Sequence, residues 1–129
     1  MDSLQATQSV LRQYWDLSLP VNPVKIASVL GINVFYSSGL GDLGGYYDQE
    51  TQSIYINDKD PITRQRFSIA HELGHALLGH GSSPRRNDIS YTKWNYIQKE
   101  NAANRFAAAL LMPDLAVRTL IEQKEHAFE

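Results

Sequence analysis

The sequence predicts an α+β domain in which helices lead, a short antiparallel sheet follows and further helices close the chain. Three observations carry this expectation. Apolar residues recur at helical spacing before residue 31 and again after residue 61. Between them lie three short β-branched and aromatic runs, separated by Gly, Ser, Asn and Asp. The 129 residues, 43% apolar and 20% charged, suit one soluble core spanning residues 1–129.

Residues 3–15 read as an amphipathic helix with Leu4, Leu11, Tyr14 and Trp15 near one face. Leu19-Pro20-Val21-Asn22-Pro23 interrupts it. Asn22 suits an N-cap and Pro23 the first turn of a second helix, which carries Val24, Ala27, Val29 and Leu30 and stops at Gly31. Residues 32–36, 44–47 and 53–56 read as strands. A long helix over residues 62–78 follows, with Phe67, Ala70, Gly74 and Leu77 or Leu78 at helical spacing and Gly79 and Gly81 beyond its end. Residues 82–95 form a polar connection containing Pro84, Arg85 and Arg86, long for a compact domain and so either functional, as a contact surface, or mobile. A further helix over residues 96–112 places Ala103, Phe106, Ala107, Leu110 and Leu111 at i, i+3, i+4, i+7 and i+8. Pro113 ends it and opens a last helix over 114–123.

Composition narrows the function. The formal net charge is −2, so there is no basic excess and no electrostatic case for direct nucleic-acid binding. A helix-turn-helix around residues 24–34 fails as well, because its recognition helix would fall on β-branched, aromatic and Gly residues. With no cysteine, disulfides, thiol catalysis and thiolate metal sites are excluded, which suits a reducing cytoplasm. No apolar run reaches the roughly 20 residues that cross a bilayer, and the polar start lacks a signal-peptide pattern, so no membrane role is expected.

The chemistry concentrates in His71-Glu72-Leu73-Gly74-His75. On a helix, positions i and i+4 share a face, so both imidazoles can reach one ion. Glu72 projects about 100° away from His71 around the helix. It cannot comfortably join the same coordination sphere, but it can reach a water held there, as a metal hydrolase requires. A catalytic zinc takes three protein ligands and leaves one position open. Glu100, near the start of the next strong helix, is the candidate third ligand. Asn104, four residues on, is placed to hydrogen-bond the outer nitrogen of a histidine ligand. His80 competes for the third position. It follows His75 by five residues, whereas proteases with a third histidine after this motif space it by six, so it reads as a loop histidine. His126 lies in a polar tail and reads as inert.

These residues resemble the ImmA/IrrE family of small metallo-endopeptidases. The resemblance rests on Arg66-Phe67-Ser68-Ile69-Ala70-His71-Glu72-Leu73-Gly74-His75 and on the run from Ala103-Asn104-Arg105-Phe106 to Leu111-Met112-Pro113. Ile54-Tyr55-Ile56-Asn57 and the helix-to-strand passage over 23–34 also look like the family, so about residues 20–115 are covered. The resemblance implies a zincin-like fold of gluzincin type, with His71, His75 and Glu100 on Zn2+ and Glu72 as the base toward a metal-activated water. Many relatives carry a second glutamate two residues before the Asn. Here that position is Ala102, which leaves Glu100 as the carboxylate in reach on that helix.

The resemblance further implies a protein substrate: a DNA-binding transcriptional repressor, or an antitoxin-like regulator. An oxyanion donor is also expected, with Tyr46, Tyr47 and Tyr91 as candidates for it or for substrate contact. The strand over 44–47 or 53–56 can offer an edge to an extended peptide. The rival reading is a zinc-stabilised module that sequesters such a partner without cutting it. A structural site needs no base, and Glu72 speaks against that rival.

Overall fold

The computed structural model describes residues 2–15, 20–82, 93–112, 118, 119, 121 and 122. The 82–95 connection therefore lies mostly outside the described residues, as do Tyr91, His126, Pro113 and most of the last expected helix.

Helix α1 spans Ser3–Tyr14 and begins in a capping box: Gln5 N–H donates to the Asp2 carboxylate at 2.7 Å, and Asp2 N–H donates to the Gln5 side-chain oxygen at 3.4 Å. Its buried face is Ser3, Ala6, Thr7, Val10 and Leu11, whereas Leu4 is 55% exposed. Leu11 and Trp15 are buried and Tyr14 packs on the core as expected; Leu4 departs, and Ser3 is drawn inward instead. Its hydroxyl donates to the Ala102 carbonyl at 2.8 Å and ties the start of α1 to the later helix. Helix α2, Pro23–Val29, has Asn22 as its cap, with the side-chain oxygen accepting from the N–H groups of Val24 and Lys25. Ile26 and Ala27 are buried and Val29 is 64% exposed. In a seven-residue helix the buried stripe runs from Pro23 to Ile26 and Ala27, and Val29 falls about 200° from Ala27. At Gly31, φ is +78°, and the N–H groups of Gly31 and Ile32 return to the carbonyls of Ser28 and Ala27.

Three strands follow: β1 (Asn33–Ser37), β2 (Gly45–Asp48) and β3 (Ser53–Asn57). The sheet is mixed, which corrects the antiparallel expectation. Its order is β1-β3-β2, with β2 antiparallel and β1 parallel to β3. The turn over 49–52 makes β2 and β3 a hairpin. The loop over 38–44 carries the chain past the position between β1 and β2, and β3 fills that gap. Ile54 and Ile56 face the core. On the other face Tyr55 stacks between Phe35 and Tyr46, at ring separations of 5.5 and 4.7 Å.

Helix α3, Ile62–Leu77, packs on the sheet and on α4, Lys93–Leu111. The buried stripe of α4 contains Ala103, Phe106, Ala107 and Leu110, in agreement with the expected spacing. Small residues at the α3–α4 contact let the backbones approach. A Cβ on Gly74 would stand 3.0–3.2 Å from atoms of Phe106, so the absent side chain is the seat of that ring. Phe106, Leu73, Leu110, Leu11, Ile26, Ile54 and Ile56 form the fully buried centre. No helix among the described residues is long and apolar enough to cross a membrane.

Phe106 joins α4 to the motif helix, so Phe106→Ala should destabilise the fold by about 3–5 kcal/mol, a large fraction of a small domain's stability. Urea unfolding followed by circular dichroism checks this. A loss below about 1 kcal/mol would show that the contact is dispensable.

Candidate metal centre

The site forms where α3 passes beneath α4. His71 and His75 lie one turn apart on the face of α3 turned to α4, and α4 lowers Glu100 onto them. Glu100 Oε2 is 2.8 Å from His71 Nε2 and 2.7 Å from His75 Nε2, and the two Nε2 atoms are 3.1 Å apart. The His75 side chain is 3% exposed, that of His71 16% and that of Glu100 24%.

Glu72 is buried on the adjoining face, with its Oε2 3.9 Å from His71 Nε2. It stands beside the triangle rather than within it, as its helical offset requires. Strand β2 closes the other side. A Cβ at Gly45 would lie 2.7 Å from the Tyr55 carbonyl oxygen and 3.6 Å from Glu72 Cγ, so the absence of a side chain brings this strand close to the glutamate. Asn57 holds the loop before β2, its amide donating to the carbonyls of Gly41 and Leu43 at 3.2 and 2.9 Å. The resulting cleft of about 400 Å³ is lined by His71, Glu72, Glu100 and Asn104, with Gly44, Gly45, Asp60, Arg64 and Phe67 among its other walls.

Electrostatics follow from the crowding. Burial opposes charge on His71, but the hydrogen bond to Glu100 and the nearby Glu72 and Glu100 charges outweigh it, and the pKa of His71 rises. Burial likewise opposes ionisation of Glu100. The hydrogen bonds to His71 and His75 prevail and hold it well below the usual carboxylate range. His80 moves the other way. Burial, reinforced by His75 and Lys99, lowers it to about 4, so it is neutral at pH 7.

Two imidazole Nε2 atoms and a carboxylate oxygen converge within 3.1 Å of one another. Their lone pairs repel unless a proton or a cation sits among them. Ligands about 2.0–2.1 Å from one tetrahedral ion lie about 3.3 Å apart, close to this spacing. The donor set therefore fits a small divalent cation that accepts nitrogen and oxygen.

Of the residues singled out from sequence, the structure brings together His71, Glu72, His75, Glu100 and Asn104. Asn104 adds to the raised pKa of His71. His71 Nδ1, however, is buried without a hydrogen-bond partner, so Asn104 does not bond the outer nitrogen of that ring as expected. Tyr46 and Tyr47 do not line the cleft. Tyr47 is buried in the core and Tyr46 stacks on Tyr55 across the sheet, because alternate strand positions point to opposite faces and Gly45 holds the position nearest Glu72. Burial, with Asp48 nearby, raises both phenol pKa values. His80 lies in the loop beyond α3, as expected, and there contacts the back of His75, its Nδ1 2.9 Å from His75 Nδ1. Its signal in the sequence was Gly79, which can turn the chain back over the helix end.

An α+β domain with a HExxH helix, a carboxylate lowered from the next helix and a buried glutamate beside them has the form of a small metallopeptidase domain. Residues 27–127 match the peptidase family described as the IrrE N-terminal-like domain, and the chain belongs to that family. It is 36% identical over 101 residues to the radiation response metalloprotease IrrE of Deinococcus radiodurans, covering 76% of this chain and 30% of that protein. It is 32% identical over 117 residues to the uncharacterized immunity region protein 2 of Bacillus phage phi105, covering 87% of this chain and 69% of that one. Over 77 residues it is 42% identical to the IrrE metalloprotease of Deinococcus deserti, covering 57% of this chain and 27% of that protein. The chain thus spans less than a third of the length of the IrrE proteins and about two thirds of the phage protein.

Gly45→Ala forces a Cβ against the Tyr55 carbonyl and should cost about 1–3 kcal/mol. A thermal melt checks the loss. An unchanged midpoint would mean that β2 can retreat from the motif helix at no cost.

Proposed function

We propose that this chain is a zinc-dependent endopeptidase that cleaves a partner protein, a DNA-binding repressor or antitoxin-like regulator, in the cytoplasm. The observation that carries the reading is the convergence of His71 Nε2, His75 Nε2 and Glu100 Oε2 beside a buried Glu72. His71, His75 and Glu100 are the residues that would hold the ion. When bound, zinc supplies a Lewis acid and brings the pKa of a coordinated water toward about 7.

The chain's own groups account for the rest. Glu72 lines the cleft from its adjoining face, 3.9 Å from His71 Nε2. There it takes a proton from the attacking water and returns it to the leaving amine. Burial at 4% exposure keeps bulk water from competing for that proton. Within the described sheet, β2 is an edge strand whose first residue, Gly45, lines the cleft. An extended substrate segment can pair with that edge, which would bring its scissile bond into the cleft beside Glu72. Asn104 on the opposite wall offers an amide to a substrate carbonyl. The family supports a protein substrate, and the relative named for a phage immunity region supports a regulator.

The test pairs metal analysis with cleavage. Purified chain should contain about one zinc and cut a DNA-binding regulator offered as substrate. Glu72→Gln should retain the zinc and lower cleavage by about 10²-fold or more. Glu100→Ala should lose zinc and activity together. Cleavage by Glu72→Gln at the original rate would remove the base, and retention of zinc by Glu100→Ala would remove the third ligand. Stable capture of the regulator without cleavage would favour the sequestering module.

A further inference from the structure

The end of α3 carries a contact that the proposed reaction does not use. Leu78 is the C-cap, Gly79 takes φ +72°, and the chain reverses. The N–H of His80 returns to the His75 carbonyl at 3.0 Å, and that of Gly79 to the Ala76 carbonyl at 3.4 Å. This is a Schellman turn, which satisfies two helix-end carbonyls. Here it also lays the His80 ring against the back of His75, with ring centres 5.2 Å apart and Nδ1 to Nδ1 2.9 Å.

We propose that His80 is a positioning residue whose Nδ1 accepts the Nδ1–H of His75 and holds His75 in the tautomer that turns the Nε2 lone pair toward the metal. The inference rests on the zinc reading above. Only one proton fits between two ring nitrogens at this distance, so one ring donates and the other accepts. Were His80 the donor, the proton of neutral His75 would sit on Nε2. It would then occupy the space shared with His71 Nε2 and Glu100 Oε2, and the nitrogen would have no lone pair for a cation. With His75 as donor, both demands are met at once. The His75 side chain is 3% exposed, so solvent does not readily replace the acceptor. A partner on the far ring nitrogen fixes both tautomer and ring orientation in histidine metal ligands. The same contact explains why His80 is not a ligand through Nδ1: that atom faces the far side of His75, away from Glu100.

The experiment measures zinc affinity by competition with a chelator of known strength. His80→Ala should weaken zinc binding about 10–100-fold, and His80→Gln, whose side-chain carbonyl can accept the same proton, should recover most of it. Nitrogen NMR of the zinc-loaded wild type should show His75 protonated on Nδ1 and His80 Nδ1 bare, a readout that needs no variant to fold. Wild-type affinity in a folded His80→Ala, or a protonated His80 Nδ1 in the wild type, would overturn the inference while leaving the zinc site standing. A wild type that binds no zinc would overturn the zinc reading and this inference with it.

Discussion

The close packing of α3 against α4 is the constraint on which the site depends. His71 and His75 come from one helix and Glu100 from the other, so their meeting requires the two axes to approach with little between them. Gly74, Ala103 and Ala107 supply that closeness, and Phe106 fills the hollow that Gly74 leaves. The same stripe of α4 therefore sets the height at which Glu100 hangs over α3. Core packing and metal geometry are one problem here, because interiors close-packed to this degree transmit small displacements.

Around that contact the other elements act as supports with separate duties. Helix α1 is fastened to α4 by Ser3 and packs on it, and its Val10 and Leu11 are buried in the core. The sheet braces the opposite side of α3. Its β2 strand comes close to Glu72 because Gly45 carries no side chain, and Asn57 holds the preceding loop in place. The turn after Leu78 serves twice, satisfying the end of α3 and presenting His80 to His75. A half-buried carboxylate held against two largely buried imidazoles is costly in isolation. The structure offsets that cost by making each of these groups a partner of the next.

Much of this was legible in the residues. Asn22 and Pro23 announce the start of α2, and the stripe of Ala103, Phe106, Ala107 and Leu110 announces the buried face of α4, because capping and helical periodicity are local properties. The motif at His71, Glu72 and His75 is also local, since a helix alone places i and i+4 together. Other features were hidden. The parallel pairing of β1 with β3 depends on where a loop carries the chain, and neither strand's residues encode it. Ser3 looked like a helix-start residue until its long-range bond to Ala102 placed it inside. The β2 tyrosines were candidates for the cleft because strand alternation was known but its phase was not.

The sequence by itself determined the α+β class, the helices with their caps, the two histidines on one face and the glutamate offset from them. Each follows from the geometry of a few consecutive residues. Only the tertiary structure decided that Glu100 meets both imidazoles, that Gly45 rather than Tyr46 or Tyr47 faces the glutamate, and that His80 stands behind His75. Those relations depend on how closely helices and strands distant in sequence approach, or on the direction a chain takes after a turn. The volumes of Gly74, Phe106 and Gly45 set them jointly, and no local pattern carries that information.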